Sequence, residues 1–143
     1  MKIPRVVLAG TSSGTGKTSI TAAIIYGLRK KGFSVQAFKV GPDFIDPSYL
    51  TSISGRSARN LDVWLMGKDQ VLKCFIKNSS ANLSIIEGVM GYYDGFAGNS
   101  NFASTQHVAT ITKSPVILVL DASKTARSIA ATALGFIKFE KYS

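Results

Sequence analysis

With a single cysteine, Cys74, the chain can form neither an internal disulfide nor a clustered thiolate metal centre. Cys74 lies in Val71-Leu72-Lys73-Cys74-Phe75-Ile76, where a small buried hydrophobe is expected rather than a nucleophile. Histidine is equally scarce, and the one residue, His107, is read as structural before catalytic. No apolar stretch reaches the length of a membrane span. The apolar run between Met1 and Leu8 is too short for a signal peptide. These absences predict a soluble, cytoplasmic protein with no membrane partner. Acidic residues are also few, eight against seventeen Lys and Arg, for a formal charge of +9. That excess fits an anionic partner (nucleic acid, an acidic membrane surface or a small polyanion) or a surface tuned only for solubility. Long basic runs are missing. The densest cluster, Arg29-Lys30-Lys31, closes a predicted helix and suits its negative end, so charge predicts no nucleic-acid binding.

What is present is enough for one compact domain: 143 residues, 45% of them hydrophobic, exclude a disordered or fibrous chain. The run Ile3 to Ala9 reads as a buried parallel strand ending at Gly10. Thr11 to Gly16 is a loop, and Lys17 to Lys31 repeats its apolar residues at helical spacing up to Gly32. Ser34 to Val40 is the next strand, completing a βαβ unit. Gly41 to Asp46, with Pro42 inside and Pro47 beyond, is expected to be a stiff loop. Val63 to Ile76 reads as a helix, Leu83 to Ile86 as a strand, and Gly88 to Gly98 as a glycine-rich connection. A short helix at Thr105 to Thr112, a strand at Val116 to Leu120 and a helix from Ala122 to Phe139 complete an α/β layered domain, 1–143.

The strongest local signal is Gly10-Thr11-Ser12-Ser13-Gly14-Thr15-Gly16-Lys17-Thr18. Gly16-Lys17-Thr18 follows a strand and opens a helix, the setting in which a phosphate-binding P-loop is credible. Glycines let backbone N–H groups turn inward around phosphate oxygens, and the helix N-terminus adds a favourable field. Lys17 supplies a point charge for the β- and γ-phosphates, and the Thr18 hydroxyl is a ligand type for magnesium. One departure stands out: the usual first glycine position holds Thr11, with Gly10 one residue earlier. Five of only eight acids follow predicted strands: Asp43, Asp46, Glu87, Asp94 and Asp121. Strand ends converge on the ligand crevice of such a sheet, and carboxylates repel a triphosphate there unless a divalent cation lies between. Asp43, Asp46 and Glu87 are therefore expected to hold or orient magnesium. For Asp94 and Asp121, capping and turn formation compete with that role. Lys39, at a strand end, faces the same crevice. Tyr92, Tyr93 and Phe96 form an aromatic patch that suits a flat ligand or core packing equally.

These motifs, with Phe38-Lys39-Val40-Gly41-Pro42-Asp43-Phe44-Ile45-Asp46-Pro47, Arg59-Asn60-Leu61-Asp62, Ile86-Glu87-Gly88-Val89-Met90-Gly91-Tyr92-Tyr93-Asp94-Gly95, Ser104-Thr105 and Val119-Leu120-Asp121-Ala122-Ser123, resemble the cobyrinic acid a,c-diamide synthases. The match runs from about Val6 to Phe136. The resemblance implies a P-loop NTPase-type, three-layer α/β domain with a mainly parallel sheet, similar to dethiobiotin synthetase. It implies ATP and Mg2+ as cofactors, and a tetrapyrrole substrate whose a and c acetates become acyl phosphates and then amides. The phosphate loop would be Thr11, Ser12, Ser13, Gly14, Thr15, Gly16, Lys17 and Thr18. Lys39, Asp43, Asp46 and Glu87 would be catalytic, with Thr18, Asp43 and Glu87 on the metal and Asp94, Ser104 and Thr105 towards the substrate. Nickel-sirohydrochlorin a,c-diamide synthases share the motifs, so cobyrinate and Ni-sirohydrochlorin both stay open, as does a homodimer. Family members continue into more of the sheet and a glutaminase domain that supplies ammonia, so the resemblance implies the N-terminal part of a longer enzyme. Two other readings remain: a dethiobiotin-synthetase-like ligase, and a ParA/MinD-like nucleotide-switched ATPase. The signature lysine of the latter is replaced by Ser12.

Overall fold

Valine, isoleucine and leucine crowd short segments with no polar alternation, the pattern of strands covered on both faces. A computed structural model describes residues 2–140; Met1 and residues 141–143, the ends of the expected 1–143 domain, lie outside the described residues. In chain order the elements are β1 (Arg5–Gly10), α1 (Lys17–Lys30), β2 (Val35–Val40), α2 (Ile45–Ser54), β3 (Arg59–Leu61), α3 (Val63–Asn78), β4 (Leu83–Glu87), α4 (Thr105–Thr112), β5 (Val116–Val119) and α5 (Ser128–Phe139). The strands form one sheet in the order β3-β2-β4-β1-β5, and each neighbouring pair is parallel.

Successive side chains of a strand point to opposite faces, so each strand feeds two cores. Val7, Ala9, Phe38, Val40 and Ile86 join Val71 and Phe75 of α3 and Val108 of α4. Leu8, Val35, Ala37 and Ile85 join Ile25 of α1 and Leu50 of α2. The result is three layers, with α1 and α2 on one face and α3 and α4 on the other, as expected. Alternation also sends Lys39 and Glu87, which pair across β2 and β4, to the α1/α2 side. No described helix is long and apolar enough to cross a membrane.

Four features differ from the sequence expectation. The stiff loop after β2 ends at Phe44, and α2 begins at Ile45 with Pro47 in its first turn. Proline there removes an N–H that has no intrahelical partner, so it permits the helix that a loop reading denies. β3 is only three residues long and too short to show a period, yet it pairs with β2 from Arg59 to Leu61. α3 is broken at Gly67, whose φ of 74° detaches the first turn from the rest. The last helix starts at Ser128, not Ala122; Asp121 instead accepts a hydrogen bond from the Ser123 N–H at 2.8 Å, closing a turn.

The two largest fully buried side chains, Phe38 and Phe75, meet at 5.2 Å between ring centroids and join β2 to α3. Replacing Phe75 with alanine removes this contact and leaves a cavity. Urea unfolding of Phe75→Ala is expected to show a stability lower by about 3–5 kcal/mol with an unchanged denaturant slope. A loss under about 1 kcal/mol would mean the α3 layer is not packed as described.

Candidate functional site

The loop between β1 and α1 is shaped by where side chains cannot go. A Cβ on Gly10 would collide with Thr15 Oγ1 and lie 2.9 Å from Lys17 Nζ. That is why glycine stands one position before the usual start of the motif. Gly14 and Gly16 adopt φ of 78° and 86°, in the left-handed region that glycine enters without penalty. Gly16 also begins α1 with no side-chain cap and no acid in the first turn, so the helix N–H groups and their field are available to an anion. Lys17 is buried and donates to the carbonyls of Ser12 and Met90, both at 2.8 Å. Met90 reaches that position with a φ of 48°, strained for a non-glycine residue. Burial, and after it the nearby Lys39, holds the Lys17 pKa below its ordinary value. An ammonium in that state gains from any anion that enters the loop.

The second half of the site sits on β2 and β4. Lys39 is 4% exposed and its ammonium is surrounded by oxygen: Asp46 Oδ2 at 2.6 Å, Glu87 Oε1 at 2.9 Å, the Gly88 carbonyl at 3.1 Å and Asp43 Oδ2 at 4.0 Å. Burial works against its charge, but the hydrogen bond to Asp46 and the Glu87 carboxylate outweigh it and raise the Lys39 pKa. Asp46 is lowered by the same pairing, against its own desolvation. The loop that carries these acids is pinned from β3, where Asn60 Nδ2 donates to the Gly41 carbonyl at 2.8 Å and the Asp43 carbonyl at 2.7 Å. Asp43 uses Oδ1 to accept from the N–H groups of Ile45 and Asp46, so it also starts α2.

Glu87 links the two halves. It is fully buried, and its Oε1 accepts from the Thr18 hydroxyl at 2.7 Å as well as from Lys39. Its Oε2 is buried with no hydrogen-bond partner. An orphaned carboxylate oxygen beside a threonine hydroxyl, next to an anion-binding loop, fits a magnesium ion that takes few protein ligands and completes its shell with phosphate and water. Among the described residues no group of three His, Cys, Asp or Glu side chains is arranged to hold a metal. Lys39 occupies the centre of the carboxylates instead. The structure therefore brings Thr18 and Glu87 together, while Asp43, expected beside them on a metal, faces Lys39.

The remaining candidates have structural partners. Asp94 Oδ2 accepts from the Gly91 N–H at 2.8 Å, holding the turn that packs on the phosphate loop, where the Tyr92 N–H meets the Gly10 carbonyl. Ser104 and Thr105 have no solvent exposure. Ser104 caps α4 through the His107 N–H, and the Thr105 hydroxyl bonds both the N–H and the carbonyl of Val89. Their hydroxyls shape the loop after β4 instead of opening onto the crevice. The aromatic patch divides: Tyr92 is in the core, Tyr93 packs on Phe136 and Phe139 of α5, and Phe96 is exposed. His107 accepts from the Ala103 N–H through Nδ1, and burial, followed by Lys68, keeps its pKa low. Sequence reasoning gave no role of their own to Asn60, Met90 or Trp64, because their contacts cross between loops.

The family model described as "CobQ/CobB/MinD/ParA nucleotide binding domain" matches residues 6–141. A cobyrinate a,c-diamide synthase of Synechococcus sp. is 46% identical over 136 residues, covering 94% of this chain and 30% of the relative. A cobyrinate a,c-diamide synthase of Picrophilus torridus is 46% identical over 99% of the chain and 32% of its own length. A hydrogenobyrinate a,c-diamide synthase of Streptomyces coelicolor is 43% identical over 96% of the chain and 29% of its length. The chain thus spans about 30% of the length of these curated relatives.

The Lys39–Asp46 pair sets an expected pH profile. A carboxyl lowered by folding contributes stability that is complete above its unfolded value of about 3.9 and is lost as pH falls through the folded value. A raised lysine contributes fully below about 10.4 and loses that contribution as pH rises through its folded value. The contribution of this pair to the melting temperature is expected to be flat in between and to fall at both ends. In Asp46→Asn the acid arm should be shallower; an unchanged acid arm would show that the pair adds nothing to folding.

Proposed function

Since this chain belongs to the CobQ/CobB/MinD/ParA nucleotide-binding family, we propose that it is the ATP-binding, carboxylate-activating part of an amidoligase acting on a tetrapyrrole of the cobyrinate type. The observation that carries this reading is Glu87. One carboxylate touches both the P-loop hydroxyl of Thr18 and the buried ammonium of Lys39, so the phosphate end of a nucleotide and an acid-lined crevice share one boundary. That the chain's relatives are cobyrinate and hydrogenobyrinate a,c-diamide synthases supplies the substrate class.

In this reading the backbone of Thr11 to Gly16 and the Lys17 ammonium grip the β- and γ-phosphates of ATP. Thr18 and Glu87 would hold Mg2+, which would supply charge neutralisation of the phosphates. An acetate oxygen of the substrate attacks the γ-phosphorus, the bond to the β-phosphate oxygen breaks, and ADP leaves with that electron pair. Lys39, kept cationic by Asp46, Asp43 and Glu87, stabilises the negative charge gathered on the transferring group. Ammonia then attacks the acyl carbon, phosphate departs, and a proton is lost from nitrogen to give the amide. Ammonia comes from glutamine through a glutaminase part, and Asp94, Ser104 and Thr105 shape the substrate side by fixing the loop after β4. Cobyrinate is preferred to Ni-sirohydrochlorin as substrate because cobyrinate synthases are among the chain's relatives.

Thermal unfolding with ATP and Mg2+ should show protection in the native chain, about 2.7 kcal/mol at a hundredfold excess over Kd, and none in Lys17→Ala. With cobyrinate and hydroxylamine added, the acyl phosphate is expected to be captured as a hydroxamate detectable by mass. Glu87→Gln should weaken the protection given by ATP with Mg2+ and lower hydroxamate yield by at least about a hundredfold, as for loss of a charge-stabilising group. Protection by ATP without any hydroxamate from cobyrinate would sink the amidation reading.

A further inference from the structure

Trp64, in the first turn of α3, and Phe96, in the segment after β4, lie with their rings 5.4 Å apart at an interplanar angle of 13°. Trp64 is the only tryptophan of the chain and the second residue of α3. Phe96 belongs to the glycine-rich segment after β4. Despite the stack, Trp64 is 56% exposed and Phe96 66% exposed. A pair this open adds little to the core, so its planar surface is available to something outside it.

Both rings are held from the backbone. Asp62 Oδ1 accepts from the Trp64 and Leu65 N–H groups at 2.9 and 3.2 Å, and Gly67 separates that first turn from the body of α3. The Phe96 N–H donates to the Phe102 carbonyl at 2.8 Å. A side chain on the neighbouring Gly95 would collide with that same carbonyl, so the loop is closed tightly there. The backbone beneath both rings is therefore fixed and the rings stack on each other, which lowers the ordering cost of a ligand that lies on them.

Their place in the topology is specific. β3 and β4 flank β2 in the sheet, and the pair joins the loop after β3 to the loop after β4. It thus spans the carboxyl end of β2, the strand whose last turns carry Lys39 and lead into Asp43 and Asp46. An exposed, planar π-surface of this kind matches a flat conjugated ring.

We propose that the Trp64–Phe96 stack is the platform for the conjugated face of the macrocyclic substrate, while the reacting acetate reaches over the end of β2 towards Lys39 and Glu87. This assignment rests on the tetrapyrrole reading above. It gives the two rings a positioning role: they fix which carboxylate faces the phosphate, and take no part in its transfer.

Trp64 reports on its own environment, so cobyrinate titrated into the chain with ATP and Mg2+ should quench the emission, and hydrogenobyrinate should do the same. By calorimetry, Trp64→Ala and Phe96→Ala should each bind cobyrinate about tenfold more weakly, and Trp64→Phe, which keeps a ring, should stay within about threefold of wild type. Thermal protection by ATP alone should be the same in all three. If Trp64→Ala fails to fold, Phe96→Ala and Trp64→Phe decide the question. Wild-type cobyrinate affinity in Phe96→Ala and Trp64→Ala overturns the platform and leaves the amidoligase reading standing. A changed sedimentation coefficient with unchanged cobyrinate affinity assigns the rings to a contact between copies and also overturns it. Wild-type chain that is protected by ATP but binds neither macrocycle overturns both readings.

Discussion

A charged lysine buried at the end of a strand is tolerable only if anions surround it, and the ammonium of Lys39 organises this site by that requirement. Its partners arrive from three places: Asp46 from the start of α2, Asp43 from the loop before it, and Glu87 from the adjacent strand. None of the four could be buried alone in its ionised form without a large penalty. Together they form a compact mixed cluster, and Glu87 extends it to the Thr18 hydroxyl of the phosphate loop. Loss of any one acid leaves a cation or a carboxylate short of a partner, so the cluster constrains the loop, the helix and the strand tips at once.

The sheet makes this cluster possible through its period of two. Lys39 and Glu87 are directly paired in register, and alternation sends both to the same face. Had the β2–β4 register slipped by one residue, one of them would point into the α3/α4 core. The neighbouring phosphate loop obeys a different constraint, that of space. Gly10 lies against Thr15 and Lys17, and Gly91 packs its backbone on the Thr11 carbonyl, so glycine is demanded where backbones and side chains crowd as well as where φ is positive. Lys17 meanwhile occupies itself with the carbonyls of Ser12 and Met90, contacts that a phosphate can replace with a stronger charge-assisted one.

The opposite side of the strand tips is built from different chemistry. There the first turn of α3 and the segment after β4 offer exposed aromatic surface, the Trp64–Phe96 stack, in place of charge. In the proposed reaction the charged side would perform the transfer and the aromatic side would decide which group is presented.

Much of this could be read from the order of residues. The strand, glycine turn and amphipathic helix of residues 5–30 announce themselves through local pattern, as do the buried runs that became β2, β4 and β5. The clustering of scarce acids after those strands marked Asp43, Asp46 and Glu87 before any contact was known. What the sequence could not decide was partnership. Pro47 looked like a loop signal because its place in a first helical turn depends on where α2 begins. β3 is too short to show a period, and exists because β2 offers it an edge. That Asp43 and Asp46 share the Lys39 ammonium was not legible, because the pairing depends on how α2 folds back over the end of β2. The partners of Ser104 and Thr105, whose hydroxyls cap α4 and clamp Val89, likewise depend on how the loop after β4 folds. Local propensity and spacing are properties of neighbouring residues and survive in the sequence alone. The distance between Trp64 and Phe96, or between Thr18 and Glu87, is set by how strands pair and layers stack, and only the folded chain determines it.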